Sequence, residues 1–467
     1  MTVNDFRKEK DSLGELNVPA SAYYGVQTQR AVDNFPISGL RPWRAFVWSI
    51  AAVKRAAALV NFELGLFNDR EVDGKHFTAK QLSEAIAQAA AEVMAGKWDQ
   101  QFVVEPFQAG AGTSHNMNAN EVIATRAAQI LASPVHPNDH VNRSQSSNDV
   151  FPTALHIAAV EVVRSELVPA IGILQDALDR KRAQFWEILK IGRTHLQDAV
   201  PMRLGQEFGG YAHQVELCGE RILQATEGLY ELPLGGTAVG TGINAPPDFA
   251  RRTIARIAEL TGVPFIETRD HFEAQAARDT AAFLAAALKN YALALIKIAN
   301  DIRWLGSGPR CGLGELRLPE VQPGSSIMPG KVNPVIAESL LMVCAQVIGH
   351  EASISWAAAS GSFELNVMMP VIAYNLLESI HLLAAASRNF AERCIAGLEA
   401  DEARLDETLE RSLALGTALT PEIGYERAAA LVKEAYATGR SIREVAREKS
   451  GIAEDRLNQL LDPRTMI

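Results

Sequence analysis

The sequence predicts an all-α protein built around long helices, and three observations carry this. Phe265 to Leu305 contains neither Gly nor Pro. If helical throughout, it would run roughly 60 Å at 1.5 Å per residue. Thr153 to Leu189 is almost continuously helix-favouring, with Pro169 as the expected kink. The long runs are also apolar nearly all round, as in the unbroken Ala281, Ala282, Leu284, Ala285, Ala286, Ala287, Leu288 segment. A helix of that kind must be surrounded by other helices. One chain leaves some faces of such helices uncovered, so the expected architecture is a bundle completed by other subunits.

Taken in order, the chain opens with short polar segments and the aromatic pair Tyr23-Tyr24 before Gly25. Asp33-Asn34-Phe35-Pro36 reads as a turn. Helical patterning begins near Pro42, continues through Lys54 to Leu66, and resumes from Ala79 to Gly96. Gly205 to Leu229 carries several glycines suited to close helix packing, and Val335 to Ala359 and Val371 to Ala396 add two more long helices. After about Asp401 the charge density rises, and short helices over Glu402–Leu413 and Tyr425–Thr438 suggest a compact third domain.

A chain of 467 residues has room for two or three domains and a large core. Lys+Arg number 45 and Asp+Glu 55, a net charge of −10. That balance argues against nucleic acid or an anionic membrane as the main partner. An anionic substrate would need positive character supplied locally. Cys218, Cys311, Cys344 and Cys394 have no metal-like spacing and read as thiols of a reducing compartment. Met1 to Lys10 is polar and lacks the apolar core of a signal peptide. No run reads as both long enough and free enough of charge to span a membrane. A cytoplasmic protein is expected.

Four polar islands interrupt the helical text. The fullest is Gly324-Ser325-Ser326-Ile327-Met328-Pro329-Gly330-Lys331-Val332-Asn333-Pro334, a shaped loop offering hydroxyl, ammonium and amide groups to an anion. The others are Gly110–Asn118, Asn142–Asp149 and Gly192–Asp198. Each is expected just before a long helix, where free backbone N–H groups and partial positive charge favour carboxylates. Ser, Thr, Asn and Asp are also the ordinary helix caps, and capping would account for any one island. Four islands holding two His and a Lys exceed what capping needs. Gly235–Gly242 is glycine-rich but lacks the Lys-Ser/Thr ending of a phosphate loop, and reads as a tight turn between helices. His115, His136 and His140 make no metal-ligand set with carboxylates, and no metal is expected.

Together these islands resemble the fumarase/aspartase superfamily, in the branch of class II fumarases and aspartate ammonia-lyases. The resemblance runs from Tyr23-Tyr24-Gly25-Val26-Gln27-Thr28 to Ile423-Gly424-Tyr425. Gly324–Pro334 is similar to the family's mobile catalytic loop. The resemblance implies three helical domains near 1–146, 147–400 and 401–467, with the central long-helix bundle assembling into a tetrameric core. It implies active sites built from three subunits, a small dicarboxylate substrate and no cofactor. Ser326, the second loop serine, would be the base. Lys331 and Asn333 would bind the carboxylate that becomes an aci-carboxylate, and Lys331 would help stabilise the serine alkoxide. Thr113, Ser146, Ser147, Asn148 and Thr194 would bind substrate, and His195, oriented by Glu338, would handle the water. An accessory dicarboxylate site would use His136, Asn138 and Asp139. The family has an Arg three residues before that run where this chain has Ser133, which puts the accessory site in doubt.

The same loop serves water and ammonia chemistry. Ser146-Ser147-Asn148-Asp149, Phe272–Asp279, Pro309-Arg310-Cys311-Gly312 and Phe363-Glu364-Leu365-Asn366 are fumarase-like. Tyr23-Tyr24-Gly25, Gly96-Lys97-Trp98 and Gly110-Ala111-Gly112-Thr113-Ser114 are aspartase-like. Ala111 stands where fumarases usually have Ser, and His115 where they mostly have a small hydroxyl residue. The resemblance implies fumarate hydration to L-malate, with aspartate ammonia-lyase as the alternative.

Overall fold

Helices form in most of the places the apolar runs predict. The computed structural model describes residues 6–467, so the first half of the polar Met1–Lys10 stretch lies outside the described residues. Among those residues the strands form only two-stranded sheets. The first third holds α1 (Val26–Asn34), α2 (Arg44–Glu63), α3 (Ala79–Met94) and α4 (Thr113–Leu131). The run from Thr153 is α5 (Ser147–Val162) followed by α6 (Val168–Gln184). A π-helical turn, Val163–Leu167, joins them directly ahead of Pro169. Pro169 has no N–H, and its ring crowds the carbonyl four residues back, so the wider turn relieves both conflicts.

α7 (Leu204–Glu227) and α8 (Phe249–Thr261) follow. The longest predicted run is then broken. Ile266–Glu267 is a strand, α9 (His271–Ala276) is short, and only α10 (Asp279–Leu305) is long. Asp270 caps α9 by accepting from the N–H groups of Phe272 (2.8 Å) and Glu273 (3.1 Å). Ala277 ends α9 in extended backbone, φ −91° and ψ 153°. The lack of Gly and Pro removed helix breakers from this run, but a capping aspartate still starts a new helix inside it. α11 (Val335–Ala358), α12 (Met369–Phe390), α13 (Glu402–Arg411), α14 (Thr420–Ile423), α15 (Tyr425–Thr438), α16 (Ile442–Lys449) and α17 (Glu454–Leu460) complete the order.

The chain divides into two compact units. The first comprises Met1–Val168, Glu220–Asn290 and Ala345–Leu383. Here α2 packs against α3, α5 and α8, and α3 against α4. The second comprises Pro169–Gly219, Tyr291–Cys344 and Ala384–Ile467. In it a hairpin, Leu189–Thr194 paired with Gln197–Arg203, packs on α13, with Leu189, Ile191 and Leu409 buried together. Its C-terminal helices bury a core of their own that includes Leu415, Leu419, Ile442, Val445 and Leu461.

The expectation about membrane-spanning runs is also overturned. Arg44–Glu63, Asp279–Leu305, Val335–Ala358 and Met369–Ile395 are long and apolar enough to cross a membrane by length and composition alone. Their Ala- and Leu-rich faces, with few charges per turn, satisfy the same criterion as a lipid-facing helix. Burial separates them: 72% of the apolar window is buried in α2, but only 28% in α11.

Candidate active site

The first island starts α4. Gly112 sits at φ +73°, and a Cβ there would lie 2.0 Å from Phe151 Cδ2. Only glycine fits that approach and that angle. Thr113 is thereby placed at the first position of α4, exposed, beside backbone N–H groups with no partner in their own helix.

The second island is both a cap and a surface. Ser146 caps α5: its Oγ accepts from Asn148 N (3.3 Å), while Asp149 Oδ1 accepts from Ser146 N (2.9 Å). Ser147 Oγ accepts from Asn116 Nδ2 at 3.1 Å, which ties this island to the first. Asn142 Oδ1 accepts from Lys54 (2.9 Å), Asn116 (3.1 Å) and Asn120 (3.2 Å). Lys54 also donates to Gln145 Oε1 at 3.0 Å. Its complete burial pushes it down to about 7 against the pull of Asp149. The Gly235–Gly242 turn lies on this same helix end. Asp149 Oδ2 accepts from Gly235 N (2.9 Å) and Thr237 N (3.0 Å), and Asn148 Nδ2 donates to Ala238 O (2.8 Å). Thr113, Ser146, Ser147 and Asn148 thus come together in the first unit.

The third island differs from expectation. It precedes no helix but is the tip of the Leu189–Arg203 hairpin, with His195 and Leu196 at φ 57° and 60°. Those angles are the ones a two-residue hairpin turn demands. Each costs roughly 1–2 kcal/mol for a residue with a Cβ. Thr194 and His195 are exposed. His195 borders a cavity of about 770 Å³ lined also by Arg193, Glu207, Lys297 and Asp301.

The fourth island closes on itself ahead of α11. Gly324 N donates to Lys331 O (2.8 Å), and Asn333 Nδ2 donates to Gly324 O (2.6 Å). Ser325 Oγ accepts from Ile327 N (3.2 Å) and Met328 N (3.1 Å). Ser326 and Lys331 are exposed, and among the described residues neither side chain has a hydrogen-bond partner. A cavity of about 550 Å³ lies against Ser325, Met328 and Lys331. Glu338 sits in the first turn of α11. No ion pair joins it to His195 among the described residues.

The accessory residues spend themselves locally. His136 Nδ1 accepts from Asp139 N at 3.0 Å and lies 3.2 Å from the Asp139 carboxylate. His136 and Asn138 border a cavity of about 1400 Å³. Among the described residues no group of three His, Cys, Asp or Glu could hold a metal ion.

His115, singled out in the sequence, is buried. Its Nε2 donates to Val104 O (3.0 Å), its Nδ1 has no partner, and its ring stacks on Phe151 at 5.9 Å. Burial pushes its pKa down to about 4. An unfolded chain takes up that proton near 6.5, so the folded state loses stability as pH falls from about 6.5 to about 4. At ~1.4 kcal/mol per unit the loss is about 3 kcal/mol. Urea unfolding at pH 7 and pH 4.5 should show His115→Gln losing less stability than wild type; equal losses would refute the assignment.

Comparison with known proteins gives the family. The protein family described as Lyase matches residues 14–349, and that described as Fumarase C C-terminus matches residues 415–467. The class II fumarate hydratase of Methylorubrum extorquens is 50% identical, covering 99% of this chain and 97% of its own. That of Halobacterium salinarum is 51% identical with the same coverage. Among solved structures, the class II fumarase of Schistosoma mansoni superposes with a TM-score of 0.93 at 39% identity, over 99% of both chains. The chain therefore belongs to the lyase family of fumarases and aspartases, on its class II fumarate hydratase branch.

Proposed function

We propose that this enzyme interconverts fumarate and L-malate by anti addition and elimination of water, with Ser326 as base. In the dehydrating direction the Ser326 alkoxide takes the proton from the carbon next to a carboxylate. The electron pair passes into that carboxylate, giving an aci-carboxylate held by Lys331 and Asn333. The C–O bond then breaks, and hydroxide leaves with a proton from His195, which Glu338 orients. Thr113, Ser146, Ser147, Asn148 and Thr194 bind the substrate. The observation that carries the reading is the Gly324–Pro334 loop, whose backbone is tied down while Ser326 and Lys331 stay exposed without a side-chain hydrogen-bond partner among the described residues. The full-length relatives support water as the added group.

The reading includes a homotetramer with sites shared between subunits, so that His195 and Glu338 meet across chains. Its support is the sparse burial of α11, where Met342 is 68% and Trp356 76% exposed. Lipid is not needed to cover faces that sister helices fit. The three domains, 1–146, 147–400 and 401–467, belong to the same proposal, as does a cytoplasmic setting with no nucleic-acid partner. The separate C-terminal core and the net charge of −10 favour them.

The test is one tube of protein, fumarate and ammonium followed by proton NMR. L-malate forming without dependence on ammonium is expected. L-aspartate forming only with ammonium would favour the ammonia-lyase alternative, in line with Ala111. His195→Asn should slow hydration by about 10²-fold or more, and Glu338→Gln by less. Wild-type rates in both would remove the pair from the mechanism.

A further inference from the structure

The strained tip that carries Thr194 and His195 stands on a buried ionic grip. The hairpin shifts register between Ile191 and Arg193. Gly192 lies opposite the bulge, whose extra residue is in the second strand at Ala199–Val200, and a Cβ on Gly192 would lie 2.8 Å from Val200 O. In a regular strand residues 190 and 193 face opposite sides. Here the long side chains of Lys190 and Arg193 nevertheless converge on one carboxylate. Both meet Glu315. Arg193 donates through Nη1 (3.2 Å) and Nη2, and Lys190 Nζ lies 3.9 Å away.

Glu315 is fully buried. Its backbone is fixed on both sides: its N–H donates to Leu305 O (2.8 Å), and its C=O accepts from Asp401 N (2.9 Å). Lys190, 2% exposed, also pairs with Glu207 at 3.3 Å. Burial alone would push the Arg193 guanidinium down, and Glu315 reverses that. Buried ion pairs are poor sources of net stability and better at fixing one geometry. Arg193 is two residues from His195, whose own backbone sits in a disfavoured region.

We propose that Glu315 and Arg193 are positioning residues: Glu315, fixed in the protein interior, holds the Arg193 guanidinium and so presents His195 in one orientation to the reacting water. This rests on the role given to His195 above. The bidentate fork matters, so lysine cannot replace Arg193 fully.

The experiment compares wild type, Glu315→Gln and Arg193→Lys. In Glu315→Gln, kcat for fumarate hydration should fall about 100-fold, the cost of a ~1 Å misplacement. KM should rise far less than kcat falls, because Thr194 is the one substrate-binding residue on this hairpin and the others lie on other islands. The acid–base limb of the kcat–pH profile should shift, and Arg193→Lys should lie between the two. Binding stoichiometry for succinate counts intact sites, so a loss of folded protein is not mistaken for a loss of rate. Hydrogen exchange over residues 189–203, by mass spectrometry, should speed up in both variants. An unchanged pH profile at equal site count, a loss confined to KM, or unchanged exchange would each overturn the proposal. If wild type makes no malate, the functional reading fails by itself, and exchange over 189–203 still decides whether the grip exists.

Discussion

Ser326→Ala loses turnover by about 10³-fold or more while its thermal midpoint and oligomeric state stay at wild-type values. Removal of a positioned base typically costs about 10²–10⁴-fold. Stability is spared because the Ser326 side chain is exposed and makes no hydrogen bond among the described residues. The neighbouring serine is the internal control. Ser325 Oγ accepts from two loop N–H groups, so Ser325→Ala removes a local cap worth about 1 kcal/mol and loosens the loop. It should lower kcat less and raise KM, since the loop that presents Lys331 and Asn333 becomes less ordered. Steady-state kinetics on both variants settles the matter. An active Ser326→Ala beside a dead Ser325→Ala would reverse the two roles and require Ser325 to leave its cap when substrate binds.

What the sequence revealed depended on whether the signal was local. The ends of Tyr425–Thr438 are legible because Gly424 and Gly439 punctuate it, both at positive φ. The four islands were found because small polar residues stand out against apolar helices. The hairpin under the third island is not legible, because His195 and Leu196 do not advertise left-handed backbone as Asn-Gly would. The start of α9 is hard to read because Asp270, its cap, stands in a run with no Gly or Pro to mark a boundary. The supporting groups were less legible still. Lys54 lies on the core-facing side of α2 with Ile50, Val53 and Ala57, and a lysine on such a face was the available signal. Asp149 is the capping-box partner of Ser146, a role its place three residues on makes legible, but its second oxygen holds the Gly235–Gly242 turn, almost ninety residues away. Glu315 had no sequence signal, since its partners Lys190 and Arg193 are brought to it only by the fold.

Lys54→Met should erase a pH dependence that wild type shows between about 7 and 10.5. Wild-type Lys54 is fully buried, and both its acceptors, Asn142 Oδ1 and Gln145 Oε1, are uncharged. Desolvation pulls its pKa from 10.5 down to about 7, and the attraction of Asp149 does not make up the difference. In that window the unfolded chain holds a proton that the folded state has shed, so wild-type stability rises with pH across it. Below about 7 the folded protein carries the full cost of the buried charge, about 5 kcal/mol at the limit. Methionine keeps the length of the side chain and removes the charge. Against that gain, Gln145 Oε1 loses its donor, a cost of about 1–3 kcal/mol, while Asn142 keeps Asn116 and Asn120. The charge term is the larger, so the variant should be the more stable near pH 6.5, and its stability should be flat where wild type climbs. Substrate binding should move the opposite way. One unit charge acting over ~10 Å at an effective dielectric of ~20 is worth about 1.7 kcal/mol, so KM for a dianion should rise more than tenfold in Lys54→Met at pH 6.5. Wild-type KM should climb above pH 7, and the variant's should not. Urea unfolding and KM measured from pH 6.5 to 9.5 test both halves. Parallel stability profiles in wild type and variant would mean that Lys54 keeps its proton throughout, held by Asn142, Gln145 and Asp149.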